Sequence, residues 1–320
     1  MKLSQLIGLY KEHAASQLLQ QSLTDNPKSK IHFKGLVGSQ DVLLAANISQ
    51  EVKRPHLFIL SDKEEAAYFL NDLESILQKE VFFFPGSYRR PYQIEETDNA
   101  NVLLRAEVLN TLNHQRYPII VSYPEALFEK VVSQKHLKQN SLDVKKGDML
   151  SIDFLNETLQ EYRFERVDFV VEPGQYSIRG GIVDIFSFSN EQPYRMEFFD
   201  EEIESIRTFD INTQLSQETH SKFCIVPNVQ EQLLQESQES FLEYLPPNTQ
   251  IWSKNIGLTQ GTLDSFFDKA IIAFEELEDS PLKHLSPQQL FINANSFNKQ
   301  LDRFTVIEFG QAFHYTADKT

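Results

Sequence analysis

One stretch, residues 176–209, restricts what this chain can become more than any other: YSIRGGIVDIFSFSNEQPYRMEFFDEEIESIRTF. Its apolar residues alternate with polar ones in two runs, 178–186 and 194–199, parted by the turn formers Ser187, Ser189, Asn190 and Pro193. That pattern predicts a hairpin-like pair of strands. Successive side chains on a strand point to opposite faces, so Tyr194, Met196 and Phe198 share one side while Arg195, Glu197 and Phe199 share the other. One face is a core, and the other offers two charges and an aromatic ring. On pattern alone, an amphipathic strand with a merely solvated outer face has the same appearance.

At 320 residues the chain has room for two or three domains of ordinary size. Aromatics are plentiful, with 25 Phe and 11 Tyr, and hydrophobic residues reach 41%, which is the composition of a folded protein. A net charge of −16 argues against a general DNA-binding surface, because neutralising phosphates needs clustered Lys and Arg. The lone Cys224 cannot form an internal disulfide, and no apolar run is long enough to span a bilayer or act as a signal peptide. A reduced, cytoplasmic compartment is expected. The eight histidines are scattered without His-x-His or His-x3-His spacing, so no metal site is expected.

In chain order, residues 1–24 place Leu3, Leu6, Ile7, Tyr10, Ala14, Leu18 and Leu19 at helical spacing and predict one opening helix. Residues 31–47 then read as a short strand, a Gly-containing turn and a helix, the order of a phosphate-binding loop. A Walker pattern starting at Gly35 requires Gly at 40, Lys at 41 and Ser or Thr at 42. Gly35 and Gly38 are present, but Gln40, Asp41 and Val42 fill those places. A carboxylate in the lysine position repels a nucleotide, and Val42 has no hydroxyl for magnesium. The loop has the shape of a nucleotide site without its chemistry.

Strands at 57–60, 81–84 and 118–122 alternate with helices at 63–77 and 101–112, which predicts a parallel sheet flanked by helices. The irregular segment 85–100 contains Tyr88, Arg89, Arg90 and Tyr92; such residues can grip single-stranded nucleic acid or simply pack on one another. A polar connection at 133–148 marks a boundary. A helix follows at 151–162, capped by Ser151 with Leu155 and Leu159 inward, then a strand at 167–171 and the stretch 176–209. This is an α+β unit of roughly eighty residues. After a loop at 211–223 come a strand at 224–226, a helix through Leu233, Leu234, Phe241, Tyr244 and Leu245, a strand at 251–252, a helix over 263–274 and a strand at 304–309. The chain then stops at Thr320 with no terminating feature, as expected of part of a longer protein. The fold expected is α/β with an α+β unit inserted.

Tyr176-Ser-Ile-Arg-Gly-Gly-Ile-Val-Asp-Ile-Phe186, followed by Pro193-Tyr-Arg-Met-Glu-Phe-Phe-Asp200 and Glu202-Ile-Glu-Ser-Ile-Arg207, resembles the segment shared by UvrB and the transcription-repair coupling factors (Mfd). A weaker likeness covers the rest: the Gly35 loop lies where UvrB has its Walker loop, Phe82-Phe-Phe-Pro-Gly86 is similar to the family's FFP-type strand, and Val121-Ser-Tyr-Pro-Glu-Ala-Leu127 to its VSxxAL segment. The missing lysine and the short 85–100 loop, lacking a damage-probing hairpin, resemble the UvrB-like N-terminal region of the coupling factors rather than UvrB.

The resemblance implies a helicase-type parallel-sheet domain with a degenerate P-loop, built from residues 1–137 and 223–320. It implies an inserted UvrA-binding domain at 138–222. Arg179, Arg195 and Phe199 fall on the family's UvrA-binding positions, with Arg207 and Glu197 as weaker candidates. Each of the first three is expected to cost on the order of 1–3 kcal/mol of binding if truncated. No cofactor is expected in this segment; ATP and Mg2+ belong to motor domains lying outside it, as do the contacts with RNA polymerase and DNA. An intramolecular contact with the family's C-terminal region is a further implied partner, and no membrane is. Two other functions compete. One is a UvrB-like helicase, for which Phe198-Phe-Asp-Glu201 superficially resembles an acidic helicase motif; the other is DNA binding through Tyr88, Arg89, Arg90 and Tyr92.

Overall fold

The computed structural model describes residues 3–25, 28–87, 99–134, 141–190, 192–227, 238–277 and 285–315. The chain divides into two compact units. The first is Met1–Asn101 with Thr111–Val131 and Gln238–Thr320; the second is Val132–Ser237 with Val102–Asn110.

The first unit is built on a six-stranded sheet in the order Lys30–His32, Thr305–Glu308, Gln250–Ser253, His56–Ile59, Ile119–Ser122, Phe82–Phe84. Every pairing is parallel. The four inner strands are buried at every residue, as in a parallel sheet covered on both faces, and so show no in-and-out alternation. Residues from both ends of the sequence therefore complete one sheet. Helices Gln40–Glu51, Lys63–Leu77 and Ile256–Glu275 belong to this unit. Asp62 starts the second of these by accepting a hydrogen bond from the Glu65 amide, and Gln78, in left-handed conformation at φ 51°, ends it.

Between the central strands, the Trp252 ring stacks on Phe58 at 5.2 Å, and its Nε1 donates to His56 Nδ1 at 3.1 Å. His56 Nε2 donates to the Val52 carbonyl at 3.2 Å, so both ring nitrogens are used by the neutral form. Burial pushes the His56 pKa down to about 4.

The second unit holds a separate six-stranded sheet, in the order Ser216–Thr219, Glu202–Phe209, Tyr194–Phe199, Ile182–Ile185, Gln175–Arg179, Glu165–Arg166. It is antiparallel except for its last pair. Its inner face presents Tyr176, Val183, Ile185, Met196, Ile203 and Ile206 to a core shared with Leu155 and Leu159 of the helix Ile152–Glu161. Val144, Phe223 and Ile225, from the paired strands Leu142–Lys145 and Lys222–Ile225, close the same core. Ser151 caps the helix, as its place before the apolar spacing predicts.

Several sequence expectations are corrected here. Residues 178–186 are two strands, because Gly180 turns at φ 61° and a Cβ on Gly181 would meet the Phe198 carbonyl oxygen at 3.0 Å. Residues 167–171 form no strand; after Glu165–Arg166 the chain leaves the sheet edge, and Val170 packs on Phe186 and Phe209. The polar segments 133–148 and 211–223 each contain a strand, Leu142–Lys145 and Ser216–Thr219, whose short or fully polar runs give no periodic signal. The opening helix is two, Leu3–Glu12 and Ala14–Asp25. Of the helix expected from Leu233 to Leu245, Phe241–Tyr244 forms one turn closed by a Ser240–Glu243 capping box, and Leu233 and Leu234 lie outside the described residues. Tyr88, Arg89, Arg90 and Tyr92 also lie outside them. Among the described residues no helix is long and apolar enough to cross a membrane.

Candidate partner-binding face

The outer face of the antiparallel sheet is laid out in rows by strand register. Ser177, Asp184, Arg195, Arg207 and Thr219 oppose one another across five strands. The next row toward the hairpin tip is Arg179, Ile182, Glu197 and Ser205. A bulge between Glu197 and Phe198 follows, and Phe199 then stands opposite Glu202. Arg195, Glu197 and Phe199 thus share the face that alternation assigns them, with Arg179 and Arg207 on either side. All five sequence candidates lie on one surface.

Asp184 organises that surface. Its carboxylate is fully buried and receives Arg195 Nε on Oδ1 at 2.7 Å and Arg195 Nη2 on Oδ2 at 2.8 Å. Arg179 Nη2 bonds the same Oδ2 from the diagonal position. The fork of Arg195 matches the carboxylate bidentately, which fixes the plane of its guanidinium. Arg195 Nη1 also donates to the Gln214 carbonyl at 3.0 Å, and its guanidinium carbon lies 4.6 Å from the centre of the Phe209 ring. The hydrogen bonds that Arg195 donates to Asp184 hold its pKa above the ordinary value. Gln214 is held at φ 60° by a loop that Asp210 builds, its Oδ1 accepting from the amides of Asn212 and Thr213 at 3.1 and 2.7 Å.

The two principal arginines are not equivalent. The Arg195 side chain is 14% exposed and reads as structural as well as presented, whereas that of Arg179 is 41% exposed. Arg179 rests 5.6 Å above the ring of Phe169, itself 61% exposed. Arg207 pairs with Glu197, which also accepts from Ser205 Oγ at 2.8 Å. Of the three guanidinium groups paired with these two carboxylates, that of Arg179 is the most exposed. Phe199, two strands away on the same face and one row nearer the hairpin tip, is 75% exposed. A donor-rich cation and a bare ring on a rigid sheet are the residue types that anchor protein interfaces. Asp184, Phe169 and Gln214 were not singled out from sequence; the alternation that marks Arg195 equally puts Asp184 on the outer face, but only the register brings the two together.

The Gly35 loop belongs to the other unit. Gly35 and Gly38 take left-handed backbone at φ 83° and 58°, and the helix Gln40–Glu51 begins directly after. Gln40 folds back to accept from the Val37 amide at 2.9 Å, and Asp41 Oδ1 accepts from the Val42 amide at 2.7 Å. Asp41 Oδ2 receives Lys254 Nζ at 2.5 Å, and Lys254 also reaches Glu65 at 3.2 Å. Asp41 is thus a carboxylate joined to the ammonium group of Lys254. Among the described residues no group of His, Cys, Asp and Glu could hold a metal ion.

Residues 142–230 match the UvrB interaction domain family, a span that starts with the strand Leu142–Lys145 and includes the whole face. The Transcription-repair-coupling factor of Haemophilus influenzae is 24% identical over 315 residues, covering 84% of this chain and 27% of that protein. That of Bacillus subtilis is 31% identical over 194 residues, covering 60% and 16%. UvrABC system protein B of Treponema denticola is 28% identical over 245 residues, covering 71% and 37%. The chain thus spans well under half the length of each of these relatives. It is similar to the UvrB interaction domain over residues 142–230 and, over most of its length, to the transcription-repair-coupling factor of Haemophilus influenzae.

Proposed function

We propose that this chain is a non-catalytic recruitment module that binds UvrA in the manner of UvrB, and so links a stalled RNA polymerase to nucleotide excision repair. The observation that carries this reading is the convergence of Arg179 and Arg195 on buried Asp184 with Phe199 exposed on the same face, inside the span that matches the UvrB interaction domain. Arg179, Arg195 and Phe199 are the main contacts in this reading, and Arg207 and Glu197 support them. The parallel-sheet unit is read as a P-loop, helicase-type body made of residues 1–137 and 223–320, with 138–222 inserted. Its Gly35 loop is read as holding no nucleotide, a reading supported by Asp41 in the lysine position of the sequence pattern and by the pairing of Asp41 with Lys254. ATP, Mg2+, DNA and polymerase contacts are assigned to the remainder of a longer protein.

The test is binding of the purified chain to UvrA by calorimetry, with ATP turnover and duplex DNA binding measured in parallel. A complex that Arg179→Ala and Phe199→Ala weaken without a change in thermal unfolding supports the reading. Absence of a complex, together with ATP turnover or DNA affinity, overturns it in favour of a UvrB-like helicase or DNA-binding fragment.

A further inference from the structure

The outer face does not end at Phe199. Met149, in the segment before the helix Ile152–Glu161, forms an isolated antiparallel bridge with Glu202. The bridge is closed by Leu150 N donating to Glu201 O at 2.8 Å and by Ile203 N donating to Asp148 O at 3.1 Å. Met149 and Glu202 are therefore a directly opposed pair without bonds to each other, the arrangement that brings side chains closest on one face. Glu202 stands in turn opposite Phe199. Phe199, Glu202 and Met149 form one line across three adjacent backbone segments, next to the row that holds Arg179.

The Met149 side chain is 69% exposed, and hydrogen bonds on either side hold its backbone. Gly147 turns at φ 87° and donates to the Ile203 carbonyl at 2.9 Å, while Asp148 accepts the Lys145 amide at 2.9 Å and its own amide donates to the Lys145 carbonyl at 3.1 Å. Two large apolar side chains exposed in one line of a sheet face are a recognition feature, because each loses water when covered. Methionine adapts its three torsions to an irregular socket. Glu202, between the two, needs a cationic partner if the line is buried, since an unpaired carboxylate would oppose binding.

We propose that Met149 is a second apolar anchor of the UvrA-binding face, so that UvrA meets this line with a socket two side chains wide, crossed by a Lys or Arg facing Glu202. This rests on the recruitment reading above and widens its surface beyond Arg179, Arg195 and Phe199.

The experiment is calorimetric titration of UvrA with the full chain and its Met149→Ala, Met149→Glu, Met149→Leu and Phe199→Ala variants, each checked by thermal unfolding. Met149→Ala is expected to weaken binding roughly tenfold and Met149→Glu further, Met149→Leu to stay within about twofold, all with unchanged unfolding. If Met149→Ala and Met149→Glu bind as tightly as wild type while Phe199→Ala is weakened, the second anchor is wrong and recruitment stands. If the wild-type chain does not bind UvrA, both fall.

Discussion

Arg195 and Asp184 face each other across two paired strands in a bidentate ion pair, Nε to Oδ1 at 2.7 Å and Nη2 to Oδ2 at 2.8 Å, with the carboxylate fully buried. Removing one member of such a pair strands the other. Asp184→Ala is expected to lower unfolding stability by on the order of 3 kcal/mol in urea titrations. Because Asp184 holds two guanidinium groups, the same variant releases Arg179 and weakens UvrA binding, whereas Arg179→Ala leaves the bidentate pair standing and lowers affinity alone.

Phe199 separates binding from folding most cleanly. Its ring is open to solvent and outside the core, so Phe199→Ala is expected to change stability by less than about 0.5 kcal/mol. The same substitution is expected to cost on the order of 1–3 kcal/mol of UvrA affinity. Unfolding curves that coincide with the wild type's, beside a weakened titration, are the outcome that checks it.

His56 predicts how stability responds to acid. Its folded pKa is about 4, against an ordinary value of 6.5, so between these the unfolded chain takes up a proton that the folded one refuses. Its contribution is complete above about pH 6.5 and declines as pH falls toward about 4, by on the order of 3 kcal/mol in total. Urea unfolding at pH 7 and pH 4.5 measures the decline. His56→Gln should flatten that part of the profile while lowering stability at pH 7, since Trp252 Nε1 and the Val52 carbonyl lose their matched partner.

The Lys254–Asp41 pair predicts what restoring a lysine at position 41 would do. Asp41→Lys places two ammonium groups together and leaves Glu65 as the carboxylate paired with Lys254. A loss of about 1 kcal/mol is expected, with no ATP turnover gained, and Lys254→Glu in the same chain should recover the stability. Thermal unfolding of the single and double variants, with a nucleotide hydrolysis assay, checks both halves.

Much of this was legible in the chain itself. Period-two alternation placed Arg195, Glu197 and Phe199 on one side and Met196 in the core, because neighbouring residues on any strand must point apart. The spacing of Leu155 and Leu159 after Ser151 marked a helix whose inner face and cap are both observed. The strands at Leu57 and Ile120 were placed by their alternation with helices, and they and the strand at Ile251 are buried at every residue. Polar strands escaped notice: Ser216–Thr219 is exposed along its length, so no burial pattern distinguishes it from a loop.

By itself, then, the sequence determined which way each side chain on the Tyr194–Phe199 strand points, and that the Gly35 loop lacks a phosphate-binding lysine. Only the tertiary structure decided what those side chains meet. Asp184 lies between Arg179 and Arg195 through register, Met149 joins Phe199 through a bridge to Glu202, and Lys254 reaches Asp41 from 213 residues away. The physical reason is range: facing is set by local backbone geometry, whereas partners depend on which distant segments hydrogen-bond and in what register, and shifting that register by one residue turns every side chain to the opposite face.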